Sequence, residues 1–347
     1  MLGLMKRTSV GLIVVVTLAV VPMVVLAAGG FNNGAKPTSS HGPKRTPQPT
    51  TTVTQAPSVA PTPVITPPPT VPPTVPPTAP PSSVLVGAGD IASCASTGDE
   101  ATATLLDGIA GGVFTLGDNV YDNGTAAEFS NCYGPSWGRL SIKSRTMPVP
   151  GNHDYNTAGA AGYYGYFGAA AGDPSKGYYA YDQGGWRVYV LNSNCSFVAC
   201  GSGSAQEQWL RADLVANPHA CVVAMWHHPR FSSGSTHGSS TATQALWQAL
   251  YDNNADLVLS GHEHNYERFQ PMTATGALDN TRGLVEFVVG TGGRSHYGFG
   301  TILSNSVVRN SDAYGVLKLT LSANAWSFSF IPEAGKSFTD SGTGTCH

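Results

Sequence analysis

Five short polar motifs in this 347-residue chain carry side chains that can bind metal ions. Each follows an apolar run, and they are Asp90, Asp118-Asn119, Asn152-His153-Asp154, His227-His228 and His262-Glu263-His264. Carboxylate, amide and imidazole donors suit hard or borderline cations such as Zn, Mn and Fe. Because the donors outnumber the needs of one tetrahedral ion, the set predicts two ions that share a bridging carboxylate. Such a pair holds the attacking and leaving oxygens of a phosphoryl displacement.

Each motif taken alone has a structural alternative. Asp90 could cap the turn after a strand, and Asp118-Asn119 could form an ordinary turn. His262 and His264 can reach neighbouring ions from a loop that begins with glycine, whereas on a strand they would only flank the residue between them. The recurrence of five motifs in order, each directly after an apolar run, favours one shared metal site.

Short apolar runs from residue 84 onward predict the strands that position these motifs. The candidate strands are 84–88, 113–116, 187–192, 221–226, 257–260, 285–289, 315–321 and 326–331. Helical spacing of apolar residues predicts helices over 99–110, 206–215 and 241–251. The first strands alternate with helices, and the last three follow one another closely, as antiparallel neighbours would. We therefore expect a layered α/β domain whose ligands gather at the carboxyl edge of the strands.

Six cysteines lie in the same part of the chain, and an even number in an exported protein indicates disulfides. The count alone allows many pairings and leaves the pattern open. One pair is separated by only four residues, and another follows two metal-site motifs at the same sheet edge. This reasoning favours the pairs Cys195–Cys200, Cys94–Cys132 and, for the remaining two, Cys221–Cys346.

The distribution of charged residues divides the chain into two parts of different composition. Residues 1–83 contain five Lys or Arg and no Asp or Glu, whereas residues 84–347 contain 13 basic and 21 acidic side chains. Charged residues make up only 11% of the chain and its formal net charge is -3, so we expect no nucleic-acid partner. Apolar residues reach 41%, which excludes global disorder.

The amino-terminal part predicts export and a spacer. Residues 1–28 combine Lys6 and Arg7 with an apolar run that ends at small residues, as a signal peptide does. An uncleaved membrane anchor is the alternative. Residues 29–83 hold 16 of the 25 prolines and should form a disordered, polyproline-like stalk, or a passive linker. We expect a secreted or cell-surface protein that can attach to a membrane or cell wall through this part.

At its five motifs the chain resembles the calcineurin-like metallophosphoesterases, and in particular the small, single-domain purple acid phosphatases. The matching segments are Gly89-Asp90, Gly117-Asp118-Asn119-Val120-Tyr121, Gly151-Asn152-His153-Asp154, His227-His228-Pro229 and Gly261-His262-Glu263-His264. The resemblance covers nearly all of residues 84–347, which it identifies as the catalytic domain. It implies a four-layer α/β/β/α sandwich of two mixed sheets. One departure is Ala224, where the purple branch usually has valine.

The resemblance also implies roles for the site residues. The metal ligands would be Asp90, Tyr121 and His264 for an Fe(III) ion, Asn152, His227 and His262 for a divalent Zn, Mn or Fe ion, and Asp118 as the bridge. His153 would stabilise or protonate the leaving oxygen. His237 is the candidate for a second substrate-facing histidine, although it lies one residue farther from His227 than the small purple phosphatases lead us to expect.

These observations together predict an exported dinuclear phosphatase. A metal-held hydroxide would attack the phosphorus of a small phosphate monoester in line, and His153 would assist departure of the alcohol. A phosphodiesterase or nucleotidase on the same fold is the near alternative. A non-catalytic, stalked surface protein is the distant one, and the loss of a metal ligand would favour it.

Overall fold

A computed structural model describes Thr52 and residues 82–347 of the chain. The predicted signal or anchor at residues 1–28 lies outside the described residues, as does nearly all of the stalk predicted at residues 29–83. In the part that is described, no helix is both long enough and apolar enough to cross a lipid bilayer.

The described residues form an α/β fold in which short strands alternate with helices and loops. The strands are β1 (Ser83–Ala88), β2 (Ala92–Ser93), β3 (Gly112–Thr115), β4 (Val120–Tyr121), β5 (Thr146–Met147), β6 (Tyr179–Gln183), β7 (Trp186–Val190), β8 (Val222–Met225), β9 (Leu257–Ser260), β10 (Tyr266–Phe269), β11 (Val285–Val289), β12 (Ser306–Asn310), β13 (Gly315–Leu321), β14 (Ala325–Pro332) and β15 (Ser341–Thr345). The α-helices are α1 (Gly98–Asp107), α2 (Ala126–Glu128), α3 (Leu140–Lys143), α4 (Ala161–Phe167), α5 (Ala205–Ala216) and α6 (Gln244–Asp252).

Two mixed sheets form the centre of the fold. The first has the strand order β15-β14-β13-β1-β3-β5, in which β1, β3 and β5 are parallel and β13 joins β1 antiparallel. The second has the order β12-β10-β11-β9-β8-β7-β6, in which β7, β8, β9 and β11 are parallel. The parallel strands of both sheets therefore end near the motifs that carry the candidate ligands.

Both faces of the central strands β8 and β9 of the second sheet are buried, which explains why these strands are apolar runs. Val223 and Leu259 belong to a core cluster that also contains side chains of the first sheet. Val222 and Ala224, which point to the opposite face, belong to a cluster with helices α5 and α6. Helix α1 packs against β13 of the first sheet. The result is the predicted α/β/β/α arrangement, which is confirmed.

The predicted elements agree closely with the observed ones, with one error of pairing. Strands β9, β11 and β13 have the predicted bounds, and each of the other predicted strands differs by at most two residues at either end. The third predicted helix begins with a 3-10 turn at Thr241–Thr243. The prediction that the last three strands are antiparallel neighbours is wrong for β11, which pairs in parallel with β9 of the second sheet, while β13 and β14 pair antiparallel in the first.

All six cysteines form disulfides, and the favoured pairing is confirmed. The bonds are Cys94–Cys132, Cys195–Cys200 and Cys221–Cys346. The first ties the loop after β2 to the helical segment near residue 132. The last ties the start of β8 to the carboxyl terminus, across 125 residues of chain.

Candidate metal centre

Three candidate ligands lie in left-handed turns directly after strands. Asp90 (φ 60°), Asp118 (φ 48°) and His262 (φ 71°) follow β1, β3 and β9. This backbone conformation costs a non-glycine residue about 1–3 kcal/mol, so the surrounding structure has to hold it. The backbone N–H of Asp90 donates to the Gly117 carbonyl at 3.0 Å, and that of His262 donates to Asp90 Oδ2 at 2.8 Å. The turns therefore support one another.

Two glycines allow the turns to approach closely. A Cβ atom at Gly117 would lie 2.6 Å from Nδ1 of His227, and one at Gly151 would lie 2.1 Å from the backbone nitrogen of Asp118. Gly117 also has a positive φ of 83°, a conformation that glycine adopts without strain. A side chain at either position would push apart the loops that carry the ligands.

The first group of donors, which we call the Tyr121 half, consists of Asp90, Tyr121 and His264. The Tyr121 hydroxyl lies 2.9 Å from Asp90 Oδ1 and 3.1 Å from His264 Nε2. It also lies 3.1 Å from Asp118 Oδ2. Nδ1 of His264 is within 2.7 Å of Ser295 Oγ, so Nε2 is the ring nitrogen that faces the other donors. All three side chains are buried.

The second group, which we call the Asn152 half, consists of Asn152, His227 and His262. Nδ1 of His227 donates to the Leu116 carbonyl at 2.7 Å, which directs Nε2 into the site. Nε2 lies 3.0 Å from Asn152 Oδ1 and 3.1 Å from His262 Nδ1. His227 is buried, whereas Asn152 and His262 are half-buried.

Asp118 joins the two halves. Its Oδ2 lies 3.1 Å from the Tyr121 hydroxyl and 3.3 Å from His227 Nε2. Its Oδ1 accepts the backbone N–H of His153 at 2.8 Å. The structure thus brings all seven residues that the sequence nominated as metal ligands into one cluster, with Asp118 between the two groups.

The donor set fits metal ions. Nε2 of His227 is directed at Asn152 Oδ1, Asp118 Oδ2 and His262 Nδ1, so a proton or a cation has to lie among these lone pairs. The donors of Asp90, Asp118 and His227 lie within 4.8 Å of one another, as do those of His227, His228 and His262. A third such group, Cys221, Asp256 and Cys346, offers no thiolate because its two cysteines form a disulfide.

The pKa values of the cluster show the same need for a cation. Burial and the carboxylates of Asp118 and Asp90 raise the pKa of Tyr121 well above its usual value. Burial alone would lower the pKa of His227, but the charge and hydrogen bond of Asp118 raise it to about 9. Without a metal ion, His227 therefore holds a proton beside Asp118, and a bound ion would take the place of that proton.

The two histidines nominated for catalysis lie at the edge of the cluster. Nδ1 of His153 donates to the Asp122 carbonyl at 2.7 Å, and its Nε2 lies 4.0 Å from Asp118 Oδ2. The ring of His237 stacks on that of His262, with centroids 4.0 Å apart. Both side chains reach the solvent, so both are accessible to a substrate.

His228, the neighbour of the candidate ligand His227, also lies at the site. Its Nδ1 lies 2.9 Å from Ser193 Oγ, and its ring centroid is 4.3 Å from that of His262. Burial and the neighbouring His227 lower the pKa of His228 to about 3. The hydrogen-bond partner of His228 is thus a serine, whereas His227 contacts the candidate ligands Asp118 and Asn152.

Four further residues support the site, and the sequence reasoning gave them no role. Asp154 accepts the backbone N–H of Gly151 and the side-chain amide of Asn119, and burial together with Asp118 raises its pKa to about 7. Glu263 is buried and accepts the backbone N–H of His237. The other two are Ser295, which contacts Nδ1 of His264, and Arg294, whose guanidinium lies over the Tyr121 ring. Asp154 and Glu263 belong to two of the five polar motifs, so the sequence could have pointed to these two residues. Ser295 and Arg294 lie outside every motif.

Comparison with known proteins agrees with this geometry. The sequence profile of the calcineurin-like phosphoesterases matches residues 85–266, which is more than half of the chain. An uncharacterised protein of Mycobacterium tuberculosis is 31% identical over 43% of this chain and 35% of its own length. Purple acid phosphatase 15 of Arabidopsis thaliana is 27% identical over 52% of this chain and 40% of its own length. The chain thus spans well under half of the curated relatives it matches.

Solved structures show the same fold. The purple acid phosphatase PPD1 from yellow lupin seeds superposes with a TM-score of 0.61 at 20% identity, covering 76% of this chain and 53% of its own. The resemblance to this superfamily and the closeness to purple acid phosphatases are therefore confirmed, and the relationship implies a dinuclear metal centre. The chain belongs to the calcineurin-like phosphoesterase family.

Proposed function

We propose that this protein is an exported dinuclear phosphatase that hydrolyses small phosphate monoesters. The observation that carries the proposal is the convergence of seven donor side chains, with Asp118 between two groups of three, at the edge where strands of both sheets end. The solvent-accessible histidines His153 and His237 flank that cluster, as substrate-binding groups have to do. The match with a phosphoesterase profile supports the reaction class.

The two halves of the cluster favour different ions. The Tyr121 half offers a phenol and a carboxylate, hard oxygen donors that favour Fe(III). The Asn152 half offers two imidazoles and an amide oxygen, which suit a divalent Zn, Mn or Fe ion. When bound, the two ions would supply positive charge to the phosphate oxygens and lower the pKa of the attacking water.

His153 is placed to serve the leaving group. Its Nδ1 is held by the Asp122 carbonyl, so Nε2 is free to face the substrate. As water oxygen bonds to phosphorus and the phosphorus–alcohol bond breaks, protonated Nε2 would give its proton to the departing alcohol oxygen. His237 would donate a hydrogen bond to a phosphate oxygen, and the buried Glu263 holds its backbone in place.

Features of the chain support a location outside the cytoplasm. Three disulfides among the described residues suit an oxidising environment outside the cytoplasm. The amino-terminal segment would direct export, and the stalk would attach the domain to a membrane or cell wall. We expect small phosphoesters as partners and no nucleic acid.

Metal analysis and a substrate comparison test the proposal. The full chain, purified from a secreting host, should contain two metal ions per molecule and hydrolyse p-nitrophenyl phosphate faster than bis(p-nitrophenyl) phosphate, which has the same leaving group. Faster hydrolysis of the diester would identify a phosphodiesterase instead. A protein that holds two ions and cleaves neither ester would favour a non-catalytic role.

The role of His153 has a separate test. His153→Asn should reduce kcat by about 10²–10⁴-fold for an alkyl phosphate, whose alcohol needs a proton. The loss should be much smaller for p-nitrophenyl phosphate, whose leaving group departs as a stable anion. His219→Asn is the matched control, because His219 contacts Asn217 and Asp182, outside the site. Equal losses for both esters would contradict the assignment of His153 as proton donor.

A further inference from the structure

We infer that Arg294 forms a second anion-binding subsite, so that the preferred substrates carry a carboxylate or a further phosphate on the leaving group. This inference rests on the proposed phosphatase function and extends it to substrate class. Arg294 follows β11, outside all five motifs, and neither the family profile nor the sequence reasoning assigned it a role.

The backbone delivers Arg294 to the site. Its N–H donates to the carbonyl of Asp90 at 3.0 Å. The preceding glycines pass very close to other segments, because a Cβ atom at Gly292 would lie 2.4 Å from the Gly89 oxygen and one at Gly293 would lie 2.1 Å from the Asp99 nitrogen. The close packing of these glycines therefore fixes the start of the Arg294 side chain beside the Tyr121 half.

The guanidinium borders the predicted leaving-group side. Its central carbon lies 5.1 Å from the centroid of the Tyr121 ring, within the range of a cation–π contact. The ring of His153 lies 4.5 Å from the same tyrosine ring. Arg294 and His153 thus share Tyr121 as a neighbour, and a group attached to the departing oxygen would come within reach of Arg294.

Arg294 has hydrogen-bonding capacity to spare. Within the described residues its one side-chain hydrogen bond runs from Nη2 to Asp122 Oδ1 at 3.2 Å. By contrast, Arg139 and Arg187 each bind two carboxylates. A guanidinium has five N–H donors arranged to bind carboxylate or phosphate in a bidentate way, so most of the donors of Arg294 remain for a ligand.

The existing ion pair is weak enough to be replaced. The side chains of Arg294 and Asp122 are 30% and 69% exposed, and solvent screens the attraction within such a pair. The backbone carbonyl of Asp122 accepts the hydrogen bond from His153 Nδ1, so Asp122 adjoins the predicted leaving-group side as well. A substrate with a second anion would bind Arg294 in place of Asp122, whereas without Arg294 that anion would meet only the repulsion of Asp122.

Paired substrates test this subsite. We would measure kcat/KM for 3-phosphoglycerate and glycerol 3-phosphate, which differ by a carboxylate, and for ADP and AMP, which differ by a phosphate. For each pair, the ratio of interest is kcat/KM for the substrate with the second anion divided by kcat/KM for the substrate without it. Arg294→Gln should lower this ratio by about 10–100-fold, the value of one or two charge-assisted hydrogen bonds. A change confined to the first pair would identify a carboxylate as the second anion, and a change confined to the second pair would identify a phosphate.

Two further variants sharpen the test. Arg294→Lys keeps the charge without the planar fork and should give an intermediate ratio. Asp122→Asn should raise the ratio, because it removes both the competitor for Arg294 and the repulsion. Arg211→Gln, which breaks an exposed ion pair between α5 and α6, is the charge-matched control and should leave the ratio unchanged.

The outcomes separate this inference from the proposed function. If the wild-type protein hydrolyses monoesters and Arg294→Gln changes no ratio, the subsite is wrong and the phosphatase stands. Equal losses within each pair would also contradict the subsite, because they would show that Arg294 serves every substrate alike. If the metal-loaded wild type cleaves no monoester, the proposed function fails and the subsite fails with it.

Discussion

The Tyr121 half and the Asn152 half of the site are built from different donors at different depths. Asp90, Tyr121 and His264 are all buried, and two of the three are oxygen donors. In the Asn152 half two of the three are imidazoles, and Asn152 and His262 are half-buried. Because a buried, oxygen-rich group exchanges its ion slowly and favours high charge, the Tyr121 half should be the more permanent of the two sites.

Support from neighbouring residues differs in the same way. His264 of the Tyr121 half is held by Ser295 and stacks on Tyr297, with ring centroids 3.9 Å apart. In the Asn152 half, the half-buried ring of His262 is stacked by His237, which is itself exposed. One face of the Asn152 half is thus covered by an exposed side chain, whereas the Tyr121 half is enclosed by the protein.

The largest effect should come from removing what the two halves share. Asp118→Asn deletes the carboxylate charge between them, so both ions should be lost and activity should fall by several orders of magnitude. The fold should survive, since Asp118 lies after β3 and not within it. Metal content, activity and a thermal melt check this. A variant with near-normal turnover would contradict a shared centre.

The next largest effect should be confined to one half. Asn152→Ala removes an oxygen donor from the Asn152 half, and we expect about 10–100-fold weaker binding of one ion, with the second ion retained. Titration of the variant with Zn or Mn, followed by counting bound metal, measures this. If both ions were lost together, the two halves would not be independent.

A smaller effect on activity is expected in the Tyr121 half. Tyr121→Phe deletes the hydroxyl but keeps the ring, so Asp90, Asp118 and His264 should still hold the ion. A phenolate bound to Fe(III) absorbs visible light by charge transfer, so the iron-loaded wild type should be violet and the variant colourless. A colourless wild type with full iron occupancy and high activity would place the protein outside the purple branch.

The last prediction concerns stability, through Glu286, which holds the loop after His227 in the Asn152 half. Glu286 accepts the backbone N–H groups of Arg230 and Phe231, just after His227, and burial raises its pKa to about 8. The unfolded chain releases this proton near pH 4.5 and the folded chain near pH 8. Stability contributed by Glu286 is therefore present at low pH and lost as the pH rises through that window.

The stability effect of Glu286 can be measured by melting at several pH values. Wild-type stability should fall by up to about 1 kcal/mol per pH unit between pH 5 and pH 8, from this group alone. Glu286→Gln should flatten that slope. An identical slope in both proteins would show that Glu286 is ionised in the folded state.

Much of the fold could be predicted because apolar runs mark buried strands. Strands β8 and β9 are buried on both faces, so their sequences are apolar runs whose positions are clear. Strand β15, Ser-Gly-Thr-Gly-Thr, has no such signal and forms by pairing with β14 next to the Cys221–Cys346 bond. The partner of β11 was missed because strand order depends on packing between distant segments.

The donor residues and the apolar runs before them could be identified from the sequence alone, because glycine, aspartate and histidine at strand ends form recognisable patterns. The resemblance implied Asp118 as the bridge, and the folding of both large sheets places it there, because each group combines residues that follow strands of the two sheets. Only the tertiary structure decided the surroundings of the site. Arg294 reaches Asp122 across 172 residues of chain, and Ser295 reaches His264 across 31. Such contacts leave no local pattern, because they depend on the packing of segments that are far apart in the sequence.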